Sequence, residues 1–386
     1  MPFKNKPQTF SAAIRPVELG TGDKAITIGG ENVLPFYSFD APIANAPKIG
    51  MEISDEMLEA APARLKAFYA GCETMADMAK KAAEVPGVSF LCLHFESADP
   101  NGADTSVEDC VAAAKAVAEA VDLPLVIMGC KNNEKDSELF NKMSDALQGK
   151  NILVLAAKEE TYKAVGASAG LAFNQKVGAE SSVDINLAKQ LNVLMTQLGV
   201  KPESIVMNVG TASAGYGFEY VVSTMERVRL AALGQNDNTL QMPIMTPVST
   251  ETWNVKESMA SEEDMPEWGD VETRGVDMEV VTATAVLAAG SDAVILRHPE
   301  SVATVSKLID LSLIHILSAT LALKEARWSS PMCWGRKLPW RASSARWIWL
   351  RTLLLSSALR RQYESLRDCA GDFQPVLQQP DAGRVF

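Results

Sequence analysis

The chain has few cysteines and none in pairs. Cys72, Cys92, Cys110 and Cys130 stand apart through the first 310 residues without a C-x-x-C spacing, which argues against a zinc site or an iron–sulfur cluster held by this chain alone. Isolated thiols of this kind suit a reducing compartment, so a cytoplasmic location is expected. Met1–Gln8 contains no apolar run of the signal-peptide kind, and no signal peptide is expected. Histidine is scarce too: His94 and His298 have no third ligand at a recognisable spacing, so no metal site is expected. No G-x-G-x-x-G follows the first strand-like run, and Gly215-Tyr-Gly217 lacks the third glycine, which leaves a Rossmann dinucleotide site without support. Positive charge is short over residues 1–310, with 25 Lys+Arg against 43 Asp+Glu. Such a body repels a phosphate backbone, so small molecules and proteins are the expected partners, not nucleic acid.

What is present is an apolar content of 47% over 386 residues, enough for a sizeable core, arranged as a regular alternation. Strand-like runs fall at Lys48–Ser54, Val88–Phe95, Leu123–Met128, Ile152–Ala156, Lys176–Glu180, Ile205–Asn208, Met242–Met245 and Ala293–Leu296, each followed by a helical pattern. Ser106 and Asp109 form an S-x-x-D capping box before a stripe of Val107, Cys110, Val111, Ala114, Val117 and Val121. Gly290 closes a helix over 277–289. The fifth strand is the least clear, since Ala167–Phe173 can be taken as a strand; a helix over 160–173 followed by Lys176–Glu180 fits better. Eight such units over roughly 260 residues point to a TIM (β/α)₈ barrel over residues 47–310. Ahead of it, residues 1–46 form an extension in which Lys24–Ile28 and Asn32–Phe36, separated by Gly29–Glu31, read as a hairpin able to plug the barrel's bottom.

Residues 311–386 differ from the rest. The net charge turns from −18 before residue 311 to +6 after it, and five of the seven tryptophans lie in this tail. Leu311–Ile316 is what CTG TCT CTT ATA CAC ATC encodes, a DNA that resembles the transposon end used to prepare sequencing libraries. The tail therefore reads as an artefactual or chimeric continuation, with the last barrel helix cut near Asp310. The alternative is a basic amphipathic or membrane-anchoring tail built on Trp347–Leu355, but that run is too short and too interrupted by arginine to span a bilayer.

In parallel α/β barrels, ligands sit where strands end. Glu52, Asp55, His94, Glu96, Asn132, Lys158, Ser182, Asp184, Asn186, Asn208, Gly210, Thr246, Arg297 and His298 fall at those ends. Each has a plainer reading: Asp184 as a helix cap, Arg297 as a partner for nearby carboxylates. Lys158 invites a Schiff-base reading, which Glu159 and Glu160 oppose by keeping the amine solvated and charged. The loop Gly210–Gly217 sets Gly215 and Gly217 around Tyr216, so the backbone can approach a flat ligand or a partner, or simply turn tightly.

Taken together, Ile49–Glu52, Ala98–Ala103, Val183–Asn192, Gly215–Tyr220, Met225–Arg229, Val281–Ala285 and Arg297–Glu300 resemble the small subunit of the corrinoid/iron–sulfur protein, the delta subunit of the acetyl-CoA decarbonylase/synthase complex. The resemblance runs from about residue 10 to 310 and includes none of the tail. It implies a barrel that pairs with a large subunit carrying the [4Fe–4S] cluster and most corrinoid contacts. The cobamide, shared between the two, takes a methyl group from methyltetrahydropterin through its methyltransferase and gives it to acetyl-CoA synthase/CO dehydrogenase. The chain would be a methyl-carrier component rather than a complete enzyme, with no catalytic residue assigned. Such a role needs a surface that covers the corrin without offering a strong ligand. Ser182, Asn186, Asn208 and Thr246, with Gly210, Gly215, Tyr216 and Gly217, are the expected contacts, and Asp184, Arg297 and His298 complete the candidate set. Two other readings stay open: a pterin methyltransferase of the same barrel type, gripping the pterin through Asp184, Asn186 and Asn208, and a non-catalytic scaffold.

Overall fold

The computed structural model describes residues 7–38 and 40–325, with side chains as far as Ser312. Eight parallel strands form the centre: β1 Lys48–Ser54, β2 Val88–His94, β3 Leu125–Met128, β4 Leu153–Ala157, β5 Lys176–Glu180, β6 Ile205–Asn208, β7 Met245–Pro247 and β8 Ala293–Leu296. Hydrogen bonding runs from β6 down to β1 and on through β8 to β7. A bridge between Met207 and Ile244 then joins β6 to β7 and closes the ring. The fold is a (β/α)₈ barrel. The seventh strand lies three residues later than its apolar run suggests, because Pro243 lacks an N–H for the ladder and the paired residues begin only past it.

The principal helices are α1 Met75–Ala83, α2 Val107–Ala120, α3 Asn133–Ala146, α4 Tyr162–Val165, α5 Ile185–Leu198, α6 Phe218–Arg229, α7 Val271–Ala289 and α8 Pro299–Glu325. α4 continues as a π-helical stretch over Gly166–Ala172, so this segment is helical rather than the alternative strand. α7 begins six residues earlier than its apolar periodicity implies, capped by Asp270. Ser106 caps α2 by accepting from Asp109 N at 3.1 Å, which is the reading its S-x-x-D spacing gives. α8 runs on through 311–316. The tail beyond Glu325 lies outside the described residues.

Strand alternation sorts side chains into two apolar layers. Phe90, Cys92, Val126, Leu153, Val206, Met245 and Ile295 fill the barrel interior, while Ile49, Leu91, Val154, Met207 and Val294 pack outward under the helices. Gly50 faces inward where a Cβ would meet the Phe90 ring at 2.1 Å, so the glycine makes room for that aromatic.

The hairpin is present but uses a different partner strand. Val17–Leu19 pairs antiparallel with Ile26–Ile28, and Asn32–Phe36 is not a strand. Pro35 weakens that run as a strand, while Val17 and Leu19 gain full burial against the barrel interior together with Ile28. Asn151, just before β4, donates to the Glu18 and Gly20 carbonyls at 2.8 and 3.1 Å and fixes the hairpin at the strands' N-terminal end.

Candidate functional site

At the opposite end, the register sets polar residues side by side. Ser54 pairs with His94 and His94 with Met128; Glu180 pairs with Asn208. By alternation Glu52, Ser54, His94, Glu180, Asn208 and Arg297 face inward at the mouth, continuing the faces of Gly50, Cys92, Gly178, Val206 and Ile295.

One half of the mouth is charged. Glu52, fully buried, accepts from His94 Nδ1 at 2.7 Å and from Arg297 Nε and Nη2 at 3.0 and 3.2 Å. Burial would raise the Glu52 carboxyl, but Arg297 and His94 outweigh it and hold it well below the usual carboxylate range. Burial works against the charged His94 ring, yet Glu52 and Glu96 prevail and raise its pKa above the ordinary imidazole value. Ser54 Oγ donates to Glu96, tying the next carboxylate to the same cluster.

The other half is largely neutral. Asn208 is buried and its Oδ1 accepts from Gly210 N at 3.1 Å. Ser181, Ser213 and Ser249, which follow β5, β6 and β7, carry buried hydroxyls with no partner among the described residues. Burial raises the Glu180 carboxyl, with Lys158 and Lys131 opposing. Gly210 has φ +86°, and a Cβ there would stand 3.1 Å from Val183 N, so the loop after β6 needs glycine at this point.

The candidate residues divide by placement. Asn208 and Arg297 reach the mouth. Ser182, Asn186, Gly215 and Tyr216 are exposed in the loops and first helical turn beyond β5 and β6, with Tyr216 donating to Glu257 at 2.7 Å; Gly217 starts α6. Asp184 caps α5, accepting from Asn186 N and Leu187 N at 2.7 and 3.3 Å. Two candidates are withdrawn. Thr246 pairs with Val294 on the outward face and bonds Ser291 Oγ at 2.8 Å, so it points under the helices. His298 is buried, bonds Glu272 at 3.1 Å and stacks on Trp253, so it braces α7 and α8 rather than facing a ligand.

Glu180, Glu272 and Glu279 were missed from the sequence. Glu279 accepts from the Arg297 and His298 amides at 2.6 and 3.2 Å, and Glu272 accepts from Arg64 N and Leu65 N, each at 2.8 Å. Barrels often bind phosphate at the loops after the last two strands. Here the chain's own carboxylate already holds the amides after β8. The signal was available: Glu272 and Glu279 are seven residues apart, which sets them on one face of α7.

A family described as the CO dehydrogenase/acetyl-CoA synthase delta subunit matches residues 16–312. Among curated proteins, the acetyl-CoA decarbonylase/synthase subunit delta 1 of Methanosarcina thermophila is 33% identical over 293 residues, covering 75% of this chain and 66% of that one. The Archaeoglobus fulgidus subunit delta is 32% identical, covering 75% and 65%, and that of Methanothermobacter thermautotrophicus 30%, covering 76% and 75%. The chain thus spans slightly less than two thirds of the first two relatives. Among solved structures, dihydropteroate synthase from Vibrio fischeri overlaps with a TM-score of 0.48 at 10% identity, covering 77% of this chain and 98% of that one. At that overlap neither fold nor ligand follows from it.

Proposed function

The chain belongs to the CO dehydrogenase/acetyl-CoA synthase delta-subunit family, and on that premise we propose that it is the barrel subunit of a corrinoid methyl carrier, covering a cobamide held chiefly by a large partner subunit. The observation that carries this reading is the family match along the whole barrel, from the hairpin to α8.

The donor set at the mouth suits an amide-rimmed corrin. Asn208 offers an amide at the mouth, and Ser182 and Asn186 add exposed polar groups beyond β5. Cys92 lies in the barrel interior with its thiol pushed up by burial, and the His94 ring gives Nδ1 to Glu52. When bound, the cobamide would supply a nucleophilic cobalt for methyl transfer. The chain's own residues would orient its amide rim through Asn208, with Ser182, Asn186 and the Gly210–Gly217 loop at the edge, and would exclude water from one face. The [4Fe–4S] cluster belongs to the partner in this reading. The methyltetrahydropterin methyltransferase and acetyl-CoA synthase/CO dehydrogenase are its transient partners, in the cytoplasm. Among the described residues no helix is long and apolar enough to cross a membrane.

The test is the affinity of the chain for cobamide-loaded large subunit, followed by corrinoid absorbance. Asn208→Asp, which replaces an N–H donor by a carboxylate, is expected to weaken it about tenfold, the cost of losing a hydrogen bond and leaving a buried charge. Unchanged affinity in a folded variant would remove Asn208 from the corrinoid surface.

A further inference from the structure

The rim of the mouth carries an apolar patch that the fold leaves uncovered. Among the described residues, three of the six exposed large hydrophobics lie in the segments after β6 and β7: Tyr216 at 48%, Tyr220 at 67% and Met259 at 63%. Their contacts draw them together. Tyr216 donates to Glu257 at 2.7 Å and so meets the short helix Lys256–Met259, which ends on Met259. Gly217 has φ +78°, and a Cβ there would stand 3.5 Å from the Tyr220 ring, which places that ring beside the turn bearing Tyr216. Single exposed apolar residues need no explanation, but a group of them marks an interaction site, and tyrosine and methionine are enriched at protein interfaces.

The same rim is acidic and not neutralised from within. Residues 251–270 hold seven Asp+Glu against one Lys. Glu219, next to Tyr220, and Glu257 and Glu262 form no ion pair among the described residues. The neighbouring cations are turned elsewhere: Lys256 Nζ lies 5.3 Å from the centre of the Trp268 ring, and Arg274 covers that ring too while giving Nη2 to the Ala260 carbonyl at 2.6 Å. We propose that this rim docks a cationic protein surface, and that the large partner subunit supplies it; the proposal rests on the carrier reading and adds where the partner sits and what charge it brings. Lysine or arginine on the partner would meet the unpaired carboxylates and the tyrosine faces, and their aliphatic stems would cover Met259. Anionic surfaces, whether membrane or nucleic acid, are repelled here.

The test is the rate and affinity with which the full-length chain binds the cobamide-loaded large subunit, measured from about 50 to about 500 mM NaCl. Wild-type association is expected to slow about tenfold over that range, as steered encounters do. Glu219→Gln/Glu257→Gln/Glu262→Gln should slow it about fivefold at low salt and flatten the salt dependence. Asp23→Asn/Glu119→Gln/Asp122→Asn, which removes the same charge from exposed positions at the barrel's other end, should leave the rate within about twofold of wild type. Tyr220→Ser should weaken affinity about tenfold, mainly through faster dissociation. Association independent of salt in the wild type, equal slowing by the two triple variants, or unchanged affinity of a natively folded Tyr220→Ser would overturn the proposal. A wild-type chain that does not bind the large subunit at all would instead overturn the carrier reading, and this docking surface with it.

Discussion

Glu52 is the residue on which the mouth's electrostatics turn. Its carboxylate is stable in the interior because two cations satisfy it, and the converse holds for them. Glu52→Ala should destabilise the protein by about 3–5 kcal/mol, the usual cost of breaking a buried pair by removing one partner. Urea denaturation measures this; a loss below about 1 kcal/mol would mean that water already solvates Arg297. The pH dependence follows from the directions of the shifts. His94 is raised in the folded state, so its contribution is complete below the unfolded imidazole value near 6.5 and is lost as pH rises through the higher folded value. Glu52 is lowered, so its contribution is complete above the unfolded carboxylate value near 4.3 and is lost as pH falls toward the folded one. The triad should stabilise most between those limits, and Glu52→Ala should flatten the profile on both sides. The sequence places Glu52, His94 and Arg297 at strand ends. It does not show that they share one carboxylate, because that depends on β8 closing beside β1, more than 240 residues away in the chain.

At the scale of elements, polar residues halt the strands and helix caps restart the chain. Val88–His94 and Ile205–Asn208 were legible because an apolar run ends at a single polar side chain, and Asp184 because a cap is a local device. Asp184→Ala should cost about 1 kcal/mol, read as a lower Tm. Less legible were Glu272 and Glu279, because their partners come from distant segments and Glu272 precedes the helix that the sequence pattern places at 277–289. Their burial exists because amides from β8 and from the short helix Ala63–Phe68 need acceptors. Glu272→Ala strands Arg64 N and Leu65 N and should cost roughly 2–4 kcal/mol, whereas Glu272→Gln, which keeps one acceptor oxygen, should cost about half. Equal losses for the two in chemical denaturation would assign the role to charge alone. The hairpin's partner was missed for a related reason: Val17–Leu19 is too short to stand out, and only the barrel interior beneath it makes it a strand.

Across the whole molecule, the two ends of the barrel have different tasks. The lower end is locked. Val17, Leu19 and Ile28 plug it, and the buried Arg229 joins Asp292 and the Gly290 carbonyl to Glu31 of the N-terminal segment. Burial and the neighbouring Asp292 push Glu31 up to about 9 despite Arg229, so the folded protein holds a proton there at neutral pH. Folding then binds more protons than the unfolded chain between about 4.3 and about 9, and stability falls as pH rises through that range. Glu31→Gln should therefore raise the Tm at pH 8 and change it little at pH 4.5; a lower Tm at pH 8 would show that Glu31 is ionised and paired. The upper end carries the candidate site, with a charged half around Glu52 and a neutral half around Asn208. The central claim is that this face covers a cobamide carried by a partner subunit. Titrating the chain into cobamide-loaded large subunit while recording the corrinoid absorption spectrum tests it most directly: a saturable, one-to-one spectral change is the expected result, and a spectrum unaltered at saturating chain would contradict it.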